Sequence, residues 1–429
     1  MIPDIAMNWG GDRIRLALVW LIFAGSFVVI FEPAPTDCFF FLAFLGYLFS
    51  GMNYNSAIMP MMLLLLLYNL GGFLSYAIVA PTPEAFQSEF TSLYMAVSAV
   101  FIASFLSVDT EKRFGIIISG YVLGATIAAA LAMLAYVFAS TIGKLYISLG
   151  ANDLINYGRA TGLFKDPNVF STYLVFPCVF LAQRLLLGTS KRPIVDLMCF
   201  ALIFVSLFLA FSRGAWTNIF MSIMIMVALT FVLSESNAMR SRIVFYFFVG
   251  AVIVAIPLLL ILSSPEMQAV FLDRFTLVKS YDAGERGRFG NQLNAIPMLL
   301  ERPFGFGPLQ FTHYFPEAPH NTFLNSFSSY GWLGGISYIA LIGCNLFVGI
   351  RTVFTKSPYQ THAILVFACL TAVTFQGIQI DTEHWRHFYW MLGMMWGLFA
   401  ATMIYKTQEQ VEAAICGKQP PYYEVQGSS

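Results

Sequence analysis

Apolar residues in this chain come in long unbroken runs rather than at alternating positions. Windows approaching the roughly 20 residues that a helix needs to cross a bilayer lie at 14–31, 37–51, 57–79, 90–107, 114–141, 168–187, 194–211, 215–233, 243–262, 323–350, 361–380 and 387–405. In hydrocarbon such a run satisfies its backbone polar groups by becoming helical. The pattern predicts an all-α integral membrane protein of about 12 transmembrane helices, the second window being the shortest. No soluble domain, low-complexity tract or internal repeat interrupts the series. Residues 1–405 therefore read as one polytopic domain, and 406–429 as a cytoplasmic, disordered tail.

Two polar stretches break the rhythm. One covers 143–167; the other, 263–321, is a loop of about sixty residues between the ninth and tenth windows. Inside the long loop Phe289, Leu293, Ile296 and Leu300 recur at i, i+4, i+7 and i+11, the spacing of one helix face. That spacing predicts an amphipathic helix over 290–300, lying along the membrane surface or packed over the bundle. Pro303-Phe304-Gly305-Phe306-Gly307-Pro308 then stops it in a tight turn.

Composition sharpens the class. Charged residues make up 11% of the chain, about half the fraction of an ordinary soluble domain. The formal net charge is zero, so no nucleic-acid partner is implied. The placement of the cations says more than their sum. With the N-terminus inside, clusters such as Lys112-Arg113, Lys191-Arg192 and Arg240 with Arg242 fall in inner loops beside helix ends. By the positive-inside rule both termini are then cytoplasmic and the long loop lies outside. The first window lacks a small-residue cleavage signature and reads as a helix rather than a signal peptide. Five of the six Cys lie within apolar windows and no CxxC occurs, so neither a disulfide framework nor a thiolate metal site is expected.

Cations on the outer face run against topology, so each asks for a reason. Arg286 and Arg288 stand where the amphipathic helix should begin. Free backbone N–H groups and the helix dipole favour an anion there, and guanidinium adds bidentate phosphate contacts. The alternative is that they pair with Asp282 or Glu285, or touch lipid headgroups. His320, between Pro319 and Asn321 at the mouth of the tenth window, has the chemistry of a general base, with Asn321 to orient it or the substrate; equally, it is a helix cap or headgroup contact. Arg213 occupies a short turn between two apolar windows, where a cation is expensive unless paired or facing a polar cavity. Arg159 lies between Gly158 and Gly162, which let backbone approach a ligand.

Asp381, Glu383, His384, Arg386 and His387 form a further cluster. It reads as a self-contained salt-bridge network, as the source of a carboxylate that orients a catalytic group, or as part of a proton pathway. Helix centres without buried Asp, Glu or Lys argue against proton-coupled transport. The histidines lack metal-ligand spacing and no DxD pair lies in an outer loop, so neither a metal nor a cofactor is expected.

At these residues the chain resembles the O-antigen ligase superfamily of lipopolysaccharide ligases and surface-polysaccharide polymerases. The resemblance is carried by Arg159-Ala160-Thr161-Gly162-Leu163-Phe164-Lys165-Asp166-Pro167-Asn168, by Ser212-Arg213-Gly214-Ala215, by Gly287-Arg288-Phe289 leading to Pro303–Pro308, and by Pro319-His320-Asn321-Thr322-Phe323-Leu324. It implies a GT-C-like, twelve-helix, metal-independent inverting glycosyltransferase in the bacterial inner membrane, its site facing the periplasm among membrane lipids. The donor would be an undecaprenyl-diphosphate-linked glycan. Arg159, Arg213 and Arg288 would bind the diphosphate, and His320 would act on the acceptor hydroxyl. The acceptor would be lipid A core in a ligase or another lipid-linked repeat in a polymerase; the Lys165-Asp166-Pro167-Asn168 form looks like members found with exopolysaccharide genes. A reading of a different class is a flippase for lipid-linked oligosaccharide, which needs charge along both halves of its path. On the enzymatic reading Arg159, Arg213, Arg288 and His320 should converge on one outward-facing cavity.

Overall fold

The computed structural model describes residues 9–31, 33–52, 54–137, 155–156, 159–263 and 287–415. Its helices are α1 (Trp9–Ala24), α2 (Pro35–Ser50), α3 (Met59–Val79), α4 (Pro83–Leu106), α5 (Thr110–Val137), α6 (Pro167–Leu187), α7 (Pro193–Leu209), α8 (Arg213–Leu233), α9 (Asn237–Ser263), α10 (Arg288–Leu300), α11 (Phe311–Tyr314), α12 (Thr322–Val353), α13 (Gln360–Gln376) and α14 (Arg386–Ile415). Among the described residues the one departure from helix and turn is a two-residue antiparallel pairing of Ile155–Asn156 with Arg159–Ala160. Each apolar window of the sequence falls on a helix, although α1 stops at Ala24 and gives way to a turn. Among the described residues seven helices are long and apolar enough to cross a membrane, and α2, α7 and α13 are shorter apolar helices. This is an all-α membrane protein. Helix α14 runs to Ile415, past the boundary expected at 405; residues 416–429 lie outside the described set.

Local chemistry sets the helix starts. Thr82 accepts the Ala85 N–H at 3.2 Å and Pro83 follows as the first helical residue, where its missing N–H costs nothing. Helix α4 therefore begins seven residues before the window at 90. In the same way Asp166 caps α6, Ser212 caps α8 and Asn321 caps α12.

The core forms where helices approach closely. α3 packs on α12, α4 on α14, α8 on α13 and α1 on α5. Glycine permits the first of these crossings, since a Cβ added to Gly71 would lie 2.6 Å from the Gly334 nitrogen. Small residues at such contacts are how membrane helices gain close packing without a hydrophobic driving force.

Helix α12 is broken at Gly331, whose φ of 66° and ψ of −168° depart from helix. The break frees backbone groups, and the 303–308 turn takes them: Phe306 N–H donates to the Ser328 carbonyl at 2.8 Å, and Trp332 N–H to the Pro303 carbonyl at 2.8 Å. The turn expected from the Pro-Gly pattern is thus docked into the gap of a split helix.

The amphipathic helix expected over 290–300 is α10, which starts two residues earlier. Its apolar stripe is not covered by protein: Phe289, Leu293, Ile296 and Leu300 are 47% to 68% exposed. The opposite side is buried instead, with Ala295 and Leu299 against Phe306 and Phe311. Of the two placements expected, packing the stripe over the bundle is corrected. The stripe faces away from the protein.

Turns that the charge pattern assigns to one side gather at one end of the bundle. Val29 N–H donates to Leu163 O at 3.2 Å, Arg386 pairs with Asp37 at 2.9 Å, and Thr322 N–H donates to Gly377 O at 2.7 Å. The opposite turns have their own pairs, Arg184 with Asp196 at 3.2 Å and Lys356 with Glu235.

Candidate functional site

Arginine stands at the first residue of three helices at this end, Arg213 on α8, Arg288 on α10 and Arg386 on α14. Unpaired backbone N–H groups and the dipole make such a position electropositive before any side chain is counted. Arg288 is half-buried and its Nη2 donates to the His320 carbonyl at 3.1 Å and to the Gln379 carbonyl. Arg159 donates through Nε to the Ala210 carbonyl at 2.8 Å and through Nη2 to Asn168 Oδ1 at 2.8 Å. That joins the 159–168 segment to the turn leading into Arg213. Arg286 lies outside the described residues.

His320 has a positive φ of 47°, a region few non-glycine residues adopt without support. Asp381 supplies part of that support. Its two carboxylate oxygens accept the backbone N–H of His320 at 3.0 Å and of Asn321 at 2.9 Å, and Oδ2 lies 4.0 Å from His320 Nδ1. Asn321 Oδ1 accepts the Leu324 N–H at 3.1 Å, so its side-chain oxygen serves as a helix cap rather than as a handle on His320.

The cluster at 381–387 is not the self-contained salt-bridge network that was one expectation. Its members turn outward to other elements. Asp381 holds the His320 backbone, Glu383 accepts from Asn325 Nδ2, and Arg386 pairs with Asp37, which also accepts from Tyr94 Oη at 2.8 Å. Burial is the main reason that the Asp381 carboxyl is pushed up to about 7; the like charge of Glu383 adds to it and His320 opposes it. Burial likewise pushes Glu383 up to about 7 and His384 down to about 4.

Sequence reasoning missed the segment that ties these groups together, 376–381. Gln376 Oε1 accepts from Asn218 Nδ2 at 2.7 Å and its Nε2 donates to Thr172 Oγ1 at 3.0 Å, linking α13 to α8 and α6. Gly377, Gln379 and Ile380 then offer carbonyls to Thr322, Arg288 and Thr322 again. Backbone acceptors carry no side-chain signature, so no motif announced them.

A second omission is Glu89 on α4, fully buried with neither carboxylate oxygen partnered. It sits against Gly72 of α3, where an added Cβ would collide with its oxygen. Glu89 lies near the start of α4, not at its centre, so the expectation that helix centres lack buried acids is not overturned; the window starting at 90 excluded it by one position.

The four side chains expected to share one outward-facing cavity are not seen to do so; only the segments that carry them are linked. Arg288 and His320 are in direct contact; Arg159 and Arg213 adjoin through the 210–213 turn, and α8 meets the 376–381 segment through Asn218 and Gln376. A cavity of about 370 Å³ opens beside this belt, and none of the four lines it.

A bundle of helices apolar enough to cross a membrane, with polar turns gathered at one end, defines a multi-pass membrane protein. Residues 198–339 match the family model described as O-antigen ligase, so this part of the chain is similar to that family. The matched stretch holds Arg213, Arg288, His320 and Asn321; Arg159 and Asp381 lie outside it. The chain matches no curated protein.

Proposed function

We propose that the protein is a GT-C-like, metal-independent inverting glycosyltransferase with twelve transmembrane helices. It sits in the bacterial inner membrane with its site facing the periplasm. It moves a glycan from an undecaprenyl-diphosphate carrier to an acceptor hydroxyl, on lipid A core if it is a ligase or on another lipid-linked repeat if it is a polymerase. The observation that carries this reading is the junction at His320. Arg288 and Asp381 grip its backbone from two sides, at the starts of α10 and α12.

The acceptor oxygen attacks the anomeric carbon, the bond from that carbon to the diphosphate oxygen breaks, and its electron pair leaves on the diphosphate. His320 takes the acceptor proton. Arg159, Arg213, Arg286 and Arg288 meet the charge growing on the leaving group, as preorganised cations do in a site shielded from water. Asp381 is a positioning residue: it sets the backbone from which the imidazole projects.

The flippase reading draws some support from Glu89. That residue, however, lies six positions into α4, about 9 Å along its axis, in the quarter next to the polar turns. A path needs charge in the other half as well.

The test is transfer by the full-length protein in nanodiscs, given a lipid-diphosphate glycan and candidate acceptors. His320→Ala should lower the rate by about 10²–10⁴-fold, as loss of a general base does. Arg213→Ala should lower it by roughly 10²–10³-fold, comparable to losing one charge-stabilising donor. Transfer at the unmodified rate in both variants sinks the assignment.

A further inference from the structure

The cavity beside the His320 belt has chemistry of its own. Its volume, about 370 Å³, is within the range of small-ligand sites, about 300–1,000 Å³. One wall is aromatic, with Phe164, Trp385 and Trp390; another is a polar stripe on the first turns of α4, with Gln87, Ser88 and Thr91. The stripe explains why α4 starts before its apolar run: the polar residues face a cavity and the polar end of the bundle.

Two residues of the lining, Arg386 and His387, carry buried nitrogens without a hydrogen-bond partner. His387 is 3% exposed and its Nε2 has no hydrogen-bond partner. Arg386 gives Nη2 to Asp37 at 2.9 Å, while its Nε and Nη1 are buried without partners. The polar side chains of the lining, Gln87, Ser88 and Thr91, suit a ligand with hydroxyl groups. Charge argues against an anion, because Arg386 is already neutralised by Asp37 and Glu84 adds a carboxylate to the lining. Aromatic rings beside neutral hydrogen-bonding groups suit a pyranose, whose C–H face lies on a ring while its hydroxyls meet polar side chains.

The location agrees. The segment carrying Phe164 begins at Arg159, and Arg386 is five residues from Asp381, a separation of at most about 18 Å. Both borders of the cavity therefore lead to groups assigned to the transfer reaction.

We infer that this cavity is a saccharide subsite, holding a sugar unit of the donor's or the acceptor's glycan next to the reacting groups. The inference rests on the glycosyl-transfer reading, and its test has a readout apart from transfer. Short lipid-free oligosaccharides cut from the host's own surface polysaccharide are titrated onto the nanodisc-embedded full chain, with binding followed by saturation-transfer NMR. Gln87→Trp and Thr91→Trp, on the lining, place an indole in the space; melting temperature reports their folding. Binding to the wild-type chain, weakened at least tenfold in either folded variant and retained in His320→Ala, is the expected result. Steady-state kinetics then separate the sources: a raised KM for acceptor alone assigns the acceptor's sugar, and a raised KM for donor alone assigns the donor's.

No oligosaccharide binding to the wild type, or equal binding in both filled variants, overturns the subsite. So does binding of glycerol phosphate that is blocked by the fill while oligosaccharide binding is not. Undiminished transfer by His320→Ala would instead overturn the catalytic reading and leave the binding result standing.

Discussion

Glu383 shows how the 381–385 turn is tuned. Its Oε1 takes the Asn325 amide while Oε2 is buried with no partner. Burial raises the carboxyl from 4.5 to about 7, so between those values the folded chain holds a proton that the unfolded chain has lost. The folded state is then favoured below about pH 4.5, and that advantage disappears as pH rises through about 7. Glu383→Gln keeps the acceptor and removes the charge. It should raise the melting temperature at pH 8, by an amount that shrinks towards zero at pH 4.5; differential scanning in nanodiscs at both values checks this, and an equal shift at the two would count against it. Side chains of this kind are half legible in a sequence. The acids of 381–387 stand out at the end of an apolar window, but which of them faces His320 and which faces α12 depends on how α12 and α13 are apposed. Glu89 was hidden differently, by lying one residue outside a hydropathy window.

At the scale of elements, the apolar runs announced nearly every helix, because hydrocarbon leaves the backbone no other way to satisfy itself. Their ends were read less well. Polar residues can open a membrane helix when a cap and a cavity receive them, as at Thr82 and Gln87. The stripe of α10 was legible as a stripe but not in its direction, since a period of 3.6 says which residues share a face and nothing about what the face meets. The break in α12 was hidden because Gly331 needs its conformation only once the 303–308 turn is docked. A Cβ at Gly331 would lie 2.5 Å from the Pro303 oxygen, at a φ that side chains resist. Gly331→Ala should therefore destabilise the protein by about 1–3 kcal/mol, the usual size of such strain, seen as a lower melting temperature; a neutral effect would mean the turn is held by something other than the break.

For the whole molecule, charge placement leads to a definite topology, and chemical labelling can test it. In a background with its native cysteines replaced, Pro81→Cys and Tyr314→Cys should react with a membrane-impermeant maleimide applied from the periplasmic side. Thr189→Cys and Ser236→Cys should react only after the membrane is opened. Labelling of 189 or 236 from outside would break the twelve-span arrangement with both termini in the cytoplasm.

The split in α12 also makes two distant parts of the chain mechanically one. The upper piece of that helix is capped by Asn321, directly after His320, and near its end the single carbonyl of Ser328 accepts from both Phe306 and Gly307. Phe304 is in turn held by Ser75 of α3 through a 2.7 Å hydrogen bond. The upper piece is thus anchored at both ends, so a substitution that displaces the 303–308 turn should also be felt at His320, as a lower transfer rate.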